Sequence, residues 1–304
     1  MTAGNRSSCS VSPASDHQLA AHYYADNARQ LQAAVTENVL LARDTYRVRL
    51  ACPELARQIV PGQFVMLRVP ECDDPLLGRP FALYDTVPDV SGEPVGVDIV
   101  YLVVGKMTSR LAECTAGDRL ELWGPLGNGF SVQPTEHLIM VAGGIGQTPF
   151  LALGREALGH RRYGQRARSA WAGKATLCYG VRSAELLAGA DDFRAAGIEL
   201  LLSSDDGSVG HHGLVTELLE QTLARQSAAD CRIACCGPET MMEAVAKIAA
   251  RVAVPCEVSL ETPMACGIGI CFSCVVKARQ SDGSWDYKRT CVEGPVFDAE
   301  AIVW

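Results

Sequence analysis

Four cysteines near the C-terminus have the side-chain type and the spacing to bind a metal group: Cys266, Cys271, Cys274 and Cys291. The first three are spaced Cys-x4-Cys-x2-Cys within the segment MACGIGICFSC. Thiolates at this spacing wrap a [2Fe-2S] cluster from several sides, and a fourth cysteine from a separate turn completes the set. Gly267 and Gly269 supply the backbone freedom that such a loop needs. The spacing therefore predicts an iron–sulfur centre.

A zinc site is the alternative interpretation of the same cysteines. Zinc sites usually contain two short Cys-x2-Cys pairs, and this segment contains one. The spacing favours the cluster, and a zinc-stabilised interaction module without catalysis stays open as an alternative of another class. The remaining cysteines are scattered or lie in apolar runs, where a thiol behaves as a small apolar side chain.

The composition is that of a globular protein with about two domains and an appendage. Of 304 residues, 48% are apolar and 20% are charged, and the formal net charge is −8. This acidic balance gives no electrostatic reason to expect a nucleic acid or an anionic membrane as partner. The 13 cysteines are odd in number and the N-terminus has no apolar signal core, so we expect a cytoplasmic location rather than a secreted disulfide scaffold.

Two different patterns of apolar residues divide the chain into two predicted domains. Short β-like runs between Pro and Gly turns predict an antiparallel β-barrel over residues 33–132. Apolar strands that alternate with helical stretches predict a Rossmann-like parallel sheet over residues 133–253. Residues 254–304 hold the cysteines and a few short strands, and we expect a small tail that packs on the other domains. The polar residues 1–32 are expected to form a flexible extension.

One loop of the second domain suits a phosphate-bearing ligand. The strand HLIMVA leads into Gly143, Gly144 and Gly146, and Thr148 and Pro149 open a helix-compatible stretch. Small residues there let backbone N–H groups and a helix N-terminus approach a pyrophosphate closely. A proline in place of the usual third glycine suits the first turn of a helix. The loop predicts nucleotide binding, with an ordinary tight turn as the alternative.

Further loops could contact the same ligands. Cys236, Gly237 and Pro238 follow the strand RIAC and open a second helical stretch, at the carboxyl end of a strand where α/β sheets bind ligands. In the barrel, Arg79 could grip a pyrophosphate bidentately, and residues 105–108 begin a helical stretch whose amides could hold the same group. Ordinary turns and a surface arginine are the alternatives.

These segments, in this order, resemble the ferredoxin reductase-type flavoproteins, in which an FAD-binding barrel with an Arg-Pro-x-x motif precedes a nicotinamide-nucleotide domain with G-x-G-x-x-P and Cys-Gly-Pro. With the cysteine tail added, residues 33–304 resemble the electron transfer subunits of B-type, NAD-dependent dihydroorotate dehydrogenases; CGIGICFSC and CVEGPVF are the most specific segments. Oxygenase reductases differ, because their full plant-type ferredoxin domain places the fourth cysteine much farther from the third than Cys291 lies from Cys274 here.

The resemblance implies a role for each matching residue. The expected FAD-binding residues are Arg79, Pro80, Phe81, Ala82, Leu83, Tyr84, Tyr101, Leu102, Val103, Gly105, Lys106, Met107 and Thr108. The expected NAD-binding residues are Gly143, Gly144, Gly146, Thr148, Pro149, Asp205, Asp206, Gly207, Cys236, Gly237 and Pro238. Arg79 would hold the FAD pyrophosphate, and Cys236 would lie near the nicotinamide and the flavin. No side chain is expected as a general acid or base, because hydride transfer does not require one.

Two positions depart from the family pattern. The family's Arg-Pro-x-Ser places a hydroxyl near the flavin, and Ala82 stands there, which puts one hydrogen bond to the ring in doubt. The usual Gly-x-Gly-Thr reads Gly-Lys-Met-Thr, and we expect Lys106 to point to solvent.

The resemblance implies a subunit that passes electrons between NAD(H) and a partner through FAD and a [2Fe-2S] cluster. A flavin is needed between them because nicotinamide gives two electrons together and the cluster accepts one. The expected partner is an FMN-containing catalytic subunit, in a heterotetramer of two copies of each, that oxidises dihydroorotate to orotate in pyrimidine biosynthesis. The alternative within the fold is the small subunit of an NAD(P)H:ferredoxin oxidoreductase or sulfide dehydrogenase complex. Arg182 could contact the adenosine ribose or a 2′-phosphate, or merely lie in a solvated turn, so the choice between NAD and NADP stays open. The resemblance favours NAD.

Overall fold

The computed structural model describes residues 24–70 and 74–304, and residues 1–23 of the expected flexible extension lie outside this part. The described chain opens with a 3-10 turn, Tyr24–Asn27. The first strand begins at Arg29, whereas the sequence placed the start of the barrel at residue 33. In these described ranges no helix is both long and apolar enough to cross a membrane.

Seven antiparallel strands form the first domain, which confirms the predicted antiparallel barrel. The strands are β1 (Arg29–Ala42), β2 (Thr45–Ala51), β3 (Phe64–Arg68), β4 (Arg79–Ala82), β5 (Asp85–Pro88), β6 (Pro94–Leu102) and β7 (Arg119–Leu126), with helices α1 (Pro53–Ala56) and α2 (Lys106–Glu113). Their order in the sheet is β4-β3-β7-β1-β2-β6-β5. Along β2, buried Val48 and Leu50 alternate with the partly exposed Arg47, so one face of the sheet lines the core.

The segment from Arg79 to Pro88 draws the two edges of this sheet together. β4 pairs with β3 at one edge, and β5 pairs with β6 at the other. Between them, the N–H of Leu83 donates to the Gln63 carbonyl and the N–H of Tyr84 donates to the Asp98 carbonyl, both at 3.0 Å. One continuous segment therefore contacts both edges and curls the sheet into a barrel.

The second domain is a parallel sheet with intervening helices, as the alternating pattern predicts. It contains β8 (Thr135–Gly143), α3 (Phe150–Ala157), β9 (Ala172–Val181), α4 (Ala190–Ala195), β10 (Glu199–Ser204), β11 (His211–His212), α5 (Val215–Leu223), β12 (Cys231–Cys236), α6 (Glu239–Arg251) and β13 (Cys256–Ser259). The strand order is β11-β10-β9-β8-β12-β13, and all neighbours are parallel. The chain moves outward from β8 and then returns to its other side, so a topological switch point lies between β8 and β12.

The tail holds a hairpin and one more strand. β14 (Val275–Arg279) and β15 (Trp285–Arg289) pair antiparallel, and β16 (Val296–Asp298) pairs antiparallel with β13. Residues 260–274, called the cysteine loop below, lie between β13 and β14 and carry the first three of the four cysteines, and Cys291 follows β15. The predicted tail thus adds β13 and β16 to the sheet of the second domain.

The tail also packs firmly on the barrel. A buried apolar cluster joins Phe64, Met66 and Leu126 of the barrel with Met264, Cys274, Cys291 and Val292 of the tail. The indole N–H of Trp123 donates to the Cys266 carbonyl at 2.9 Å. Gly267 has φ +74°, and a Cβ there would lie 2.6 Å from Cγ of Met66, so only glycine fits this contact.

A buried carboxylate connects the barrel to the second domain. Asp85, at the start of β5, accepts hydrogen bonds from Arg155, from Arg161 at 2.7 Å and from the hydroxyl of Tyr163 at 2.6 Å. The carboxylate is almost fully buried and both guanidinium groups are largely buried. Removing one partner of such a group leaves uncompensated charge in a low-dielectric interior.

We expect Asp85→Asn to lower the free energy of unfolding by about 3–5 kcal/mol, because two arginines lose their carboxylate partner in the interior. Urea unfolding followed by tryptophan fluorescence measures this. Asp191→Asn is the matched control, since Asp191 also pairs with an arginine but is exposed, where such pairs contribute little. Equal effects of the two substitutions would contradict the assignment.

Candidate functional site

The four predicted ligand cysteines form two pairs of neighbouring thiols, Cys266 with Cys271 and Cys274 with Cys291. Sγ of Cys274 and Sγ of Cys291 are 3.2 Å apart. A hydrogen bond from Ser273, with a smaller contribution from the nearby Cys266 thiol, lowers the pKa of Cys271 to about 6. Contact with Cys291 lowers the pKa of Cys274 to about 6, and the same contact raises the pKa of Cys291. One thiol of each pair is thus prepared to ionise, as metal ligation requires.

Two pairs of sulfurs suit a [2Fe-2S] cluster better than zinc. The cluster takes two protein ligands on each of its two irons, whereas structural zinc takes four ligands around one ion. The geometry therefore favours the cluster.

A cavity of 540 Å³ lies between the barrel, the second domain and the tail. Ten of the thirteen residues expected to bind FAD line it: Arg79, Pro80, Phe81, Ala82, Tyr101, Leu102, Gly105, Lys106, Met107 and Thr108. Its volume falls within the range of small-molecule sites, about 300–1000 Å³. Met264 lines this cavity and also belongs to the apolar cluster that contains Cys274 and Cys291. The cavity, called the flavin cavity below, and the cysteine loop are therefore neighbours.

The other three expected residues do not reach this cavity. Leu83 is buried in the barrel core. Tyr84 is buried at the domain junction, where its hydroxyl donates to Asp192 at 2.7 Å. Val103 lines the larger crevice described below. Lys106, expected to point to solvent, is largely exposed, but its ammonium pairs with Asp74 at 2.5 Å and the residue also lines the cavity.

The start of α2 and Arg79 form the polar part of the cavity wall. The hydroxyl of Thr108 donates to the Gly105 carbonyl at 3.0 Å and accepts the Gly105 N–H at 3.2 Å, so it caps the helix. The guanidinium of Arg79 donates to the carbonyls of Leu77 and Gly78, each at 3.0 Å. A Cβ on Gly105 would meet no atom within 4 Å, which leaves space for a ligand close to the backbone.

A larger crevice of 1450 Å³, called the nicotinamide crevice below, lies across the carboxyl ends of the parallel strands. Six expected NAD-binding residues line it: Gly143, Gly144, Gly146, Asp205, Gly237 and Pro238. Thr148 and Cys236 line the flavin cavity instead. A Cβ on Gly146 would lie 2.4 Å from the Cys236 carbonyl oxygen, so this glycine lets the two loops touch. The two cavities adjoin at this contact.

The remaining three expected residues line neither cavity. Pro149 is buried and directly precedes α3, which matches a role in starting the helix. Asp206 accepts hydrogen bonds from the N–H and the hydroxyl of Ser208, at 2.9 and 2.6 Å, and these bonds lower the pKa of its carboxyl. Gly207 has φ +74° and completes this turn.

Sequence reasoning missed the segment that joins the two cavities. Residues 260–263 line both of them. The side chain of Glu261 is exposed along the walls of both cavities, and desolvation there raises the pKa of its carboxyl. Ser203 also lines the crevice, and its buried hydroxyl has no hydrogen-bond partner in the described chain. One feature of the sequence could have indicated the segment 260–263. It directly follows β13, and the carboxyl ends of strands in α/β sheets bind ligands.

Three family models match consecutive segments of the chain. They describe an oxidoreductase FAD-binding domain over residues 32–130, an oxidoreductase NAD-binding domain over residues 140–247, and the iron-sulfur cluster binding domain of dihydroorotate dehydrogenase B over residues 261–303. The dihydroorotate dehydrogenase B (NAD(+)) electron transfer subunit of Desulforamulus reducens is 35% identical over 274 residues, which cover 90% of this chain and 97% of the relative. The chain belongs to this family of electron transfer subunits.

Other members of the family and related structures agree with this assignment. The electron transfer subunit of Caldanaerobacter subterraneus subsp. tengcongensis is 31% identical over 276 residues, 90% of this chain and 99% of the relative. A solved NADH-dependent reduced ferredoxin-NADP oxidoreductase is similar over 90% of both chains, with a TM-score of 0.75 and 28% identity. The ferredoxin reductase of carbazole 1,9a-dioxygenase shares the fold over 75% of this chain and 67% of its own, with a TM-score of 0.61 and 19% identity.

For this electron transfer subunit we expect Gly105→Val to lower the FAD content of the purified chain, because the new side chain enters space that no protein atom occupies. Loss of the glycine N-cap costs only about 1 kcal/mol, so the fold persists. Absorbance of bound flavin and a thermal melt measure the two effects. Ser109→Val, on the exposed face of the same helix, is the control and keeps its FAD. Full FAD content in Gly105→Val would place the flavin elsewhere.

Proposed function

We propose that this chain carries electrons between NAD(H), bound in the nicotinamide crevice, and the catalytic subunit of a dihydroorotate dehydrogenase complex, which docks at the cysteine loop. One observation carries the proposal: the nicotinamide crevice adjoins the flavin cavity, and the flavin cavity adjoins the cysteine loop. Residues 260–263 line both cavities, and Met264 lines the smaller cavity and packs with Cys274 and Cys291. Electrons that enter at the crevice thus have a continuous path to the loop.

FAD in the flavin cavity would supply the conversion between two-electron and one-electron transfer. Arg79 and the N-terminus of α2 would hold its pyrophosphate, since a guanidinium and free helix N–H groups both bind anions. Gly105 has no side chain to obstruct that approach. Apolar Pro80, Phe81 and Ala82 would form the wall beside the ring and exclude water.

The crevice residues would bind and orient the nicotinamide nucleotide. Gly144 has φ +55°, and a Cβ there would meet no atom within 4 Å, so its backbone is open to a pyrophosphate. Burial raises the pKa of Cys236, which keeps this thiol neutral at the contact between the two loops. A neutral thiol at this contact suits hydride transfer, which requires placement of the two rings and no acid or base.

NAD is the proposed nucleotide in preference to NADP. Asp205 lines the crevice just after β10, where a carboxylate can accept a hydrogen bond from a ribose hydroxyl and repels a 2′-phosphate. Arg182 also lines the crevice and would favour the phosphate. The relatives carry NAD(+) in their names, which supports NAD.

The proposed partner is an FMN-containing catalytic subunit, two copies of each chain forming a heterotetramer. An apolar rim around the cysteine loop supports a docking surface there: Ile270 is 74% exposed, Phe272 62% and Ile268 39%. Exposed apolar residues grouped in this way are typical of protein interfaces. Cys271, one of the proposed cluster ligands, is exposed within the same rim, so a docked partner would bury it.

A cytoplasmic location is also proposed. All eleven cysteines of the described chain are free, which supports a reducing setting.

A second candidate is the small subunit of an NADH-dependent ferredoxin-NADP oxidoreductase. The similarity to that structure over 90% of both chains favours it as the alternative. The co-purifying chain separates the two candidates. A partner with FMN supports dihydroorotate oxidation, and a partner with FAD and a [4Fe-4S] cluster supports the alternative.

We expect Cys271→Ser to leave the reduction of FAD by NADH nearly intact while electron transfer to the partner is lost, because only the outlet of the path is broken. Anaerobic stopped-flow of flavin absorbance and orotate formation in the assembled complex measure the two steps. Cys114→Ser, remote from the loop in sequence and outside both cavities, is the control and retains both steps. Normal orotate formation after loss of the cluster would disprove the path.

We expect Ile270→Asp to weaken binding of the catalytic subunit about tenfold or more, since a charge at the centre of a buried apolar contact costs at least about 1.4 kcal/mol. Surface plasmon resonance with cluster-loaded protein measures the affinity, and cluster absorbance confirms loading. Val90→Asp tests another exposed apolar residue, in the turn between β5 and β6, and should bind normally. Normal affinity of Ile270→Asp would move the docking surface elsewhere.

A further inference from the structure

Arg289 makes an unusual set of contacts around the cysteine loop. It is the last residue of β15, two positions before Cys291, and its hairpin partner Val275 directly follows Cys274. The side chain is only 20% exposed, although arginines at hairpin ends are usually solvated. Neither the expected cofactor-binding residues nor the ligand cysteines include it.

The guanidinium contacts both parts of the loop at once. Its Nη1 donates to the Gly269 carbonyl at 2.9 Å, in the four-residue gap between Cys266 and Cys271. Its Cζ lies 4.9 Å from the ring centroid of Phe272, in the two-residue gap between Cys271 and Cys274. A planar guanidinium holds several N–H donors in a fixed fork while its face lies over a ring, whereas the compact ammonium of a lysine lacks this rigid geometry.

The carboxylate of Glu293 contacts both the backbone and the side chain of Arg289. Oε2 of Glu293 accepts the backbone N–H of Arg289 at 2.7 Å and lies 3.4 Å from its Nε. Glu293 follows Cys291 by two residues, so this anchor belongs to the turn that supplies the fourth ligand. The chain of contacts from Glu293 through Arg289 to Gly269 and Phe272 therefore connects all three stretches that carry the cysteines.

Phe272 shows why the loop needs a brace. Its φ is +55°, a left-handed conformation that is unfavourable for a bulky residue and persists only where the surroundings enforce it. Its ring is largely exposed, so core packing does not enforce it. The guanidinium of Arg289 lies over this ring and packs against it from the hairpin side.

We propose that Arg289 is a positioning residue that ties the cysteine-bearing segments into one frame and, through its fixed positive charge, raises the reduction potential of the cluster held there. The inference rests on the proposed function, in that a [2Fe-2S] cluster occupies the loop. Reduction adds negative charge to a group that already carries four thiolates, and a nearby cation stabilises that charge. Glu293 contributes one negative charge beside this guanidinium, and Lys288 pairs with its other carboxylate oxygen at 3.1 Å, so the three side chains together retain one positive charge.

The test compares three variants of the full chain with the unaltered protein: Arg289→Gln, Arg289→Lys and Arg279→Gln. Arg279 lies at the far end of the same hairpin and is exposed, so its substitution removes the same charge without touching the loop. The measurements are the midpoint potential of the cluster by EPR-monitored titration and the rate of iron loss to a chelator. FAD content and flavin reduction by NADH report on the rest of the fold.

Arg289→Gln is expected to shift the midpoint potential downward and to release iron faster, while FAD content and flavin reduction stay normal. Arg289→Lys keeps the positive charge but loses the planar guanidinium. Its midpoint potential should lie close to that of the unaltered chain, whereas its iron should be released as fast as from Arg289→Gln. Arg279→Gln should match the unaltered chain in both measurements. Complete loss of iron from Arg289→Gln with normal flavin chemistry also supports the proposal.

The proposal is overturned if the potential of Arg289→Gln equals that of Arg279→Gln. It is likewise overturned if the lysine variant behaves in both measurements as the glutamine variant does, because charge and fork then make no separate contribution. Absence of iron from the unaltered chain would instead reject the proposed function. The two failures are therefore distinguishable.

Discussion

The contact between the cysteine loop and the barrel fixes where electrons can leave this molecule. The Trp123 indole holds the Cys266 carbonyl, and Gly267 lets the loop lie directly on Met66. Because the same surface of the barrel leads to the flavin cavity, the loop is held beside the flavin-binding wall. A tail of about fifty residues has too little apolar surface for a core of its own, so this packing is also what folds it.

A second constraint is the fixed relation between the barrel and the parallel sheet. The crevice and the cavity adjoin only because the domains meet at a defined angle, and the buried Asp85 with its two arginines holds that junction. Tyr84 adds a further bond across it to Asp192. Buried ion pairs contribute little net stability compared with apolar packing, but they tolerate few alternative arrangements. In this subunit that selectivity serves placement of one cofactor against another.

Local patterns in the sequence predicted the chemistry and the fold well. The Cys-x4-Cys-x2-Cys spacing led to cysteines that lie as two neighbouring pairs, and the strand-to-helix glycine loop leads to the crevice at the switch point of the sheet. Ala82 and Lys106 were also recognised as departures from the family pattern, and both line the cavity. These features depend on residues close together in the chain, where spacing determines geometry.

The features that escaped prediction depend on contacts between distant segments. Leu83 and Tyr84 lie in a motif that suggests cofactor contact, yet the chain crosses there from β4 to β5, between the two edges of the sheet, and both side chains are buried in protein. Asp85 pairs with arginines 70 and 76 residues away, and nothing in its local sequence marks it. Glu261 faces both cavities only because β13 joins the sheet beside β12. Register and strand order, which no short motif encodes, decide these positions.

The proposed electron path leads from the nicotinamide crevice through the flavin cavity to a [2Fe-2S] cluster on two cysteine pairs. Anaerobic addition of NADH to the isolated chain, followed by EPR spectroscopy and iron and zinc analysis, tests this path. We expect about two irons per chain, no zinc, and the paramagnetic signal of a reduced [2Fe-2S] cluster after NADH is added. Zinc in place of iron, or a flavin that NADH bleaches while the cluster stays oxidised and EPR-silent, would contradict it.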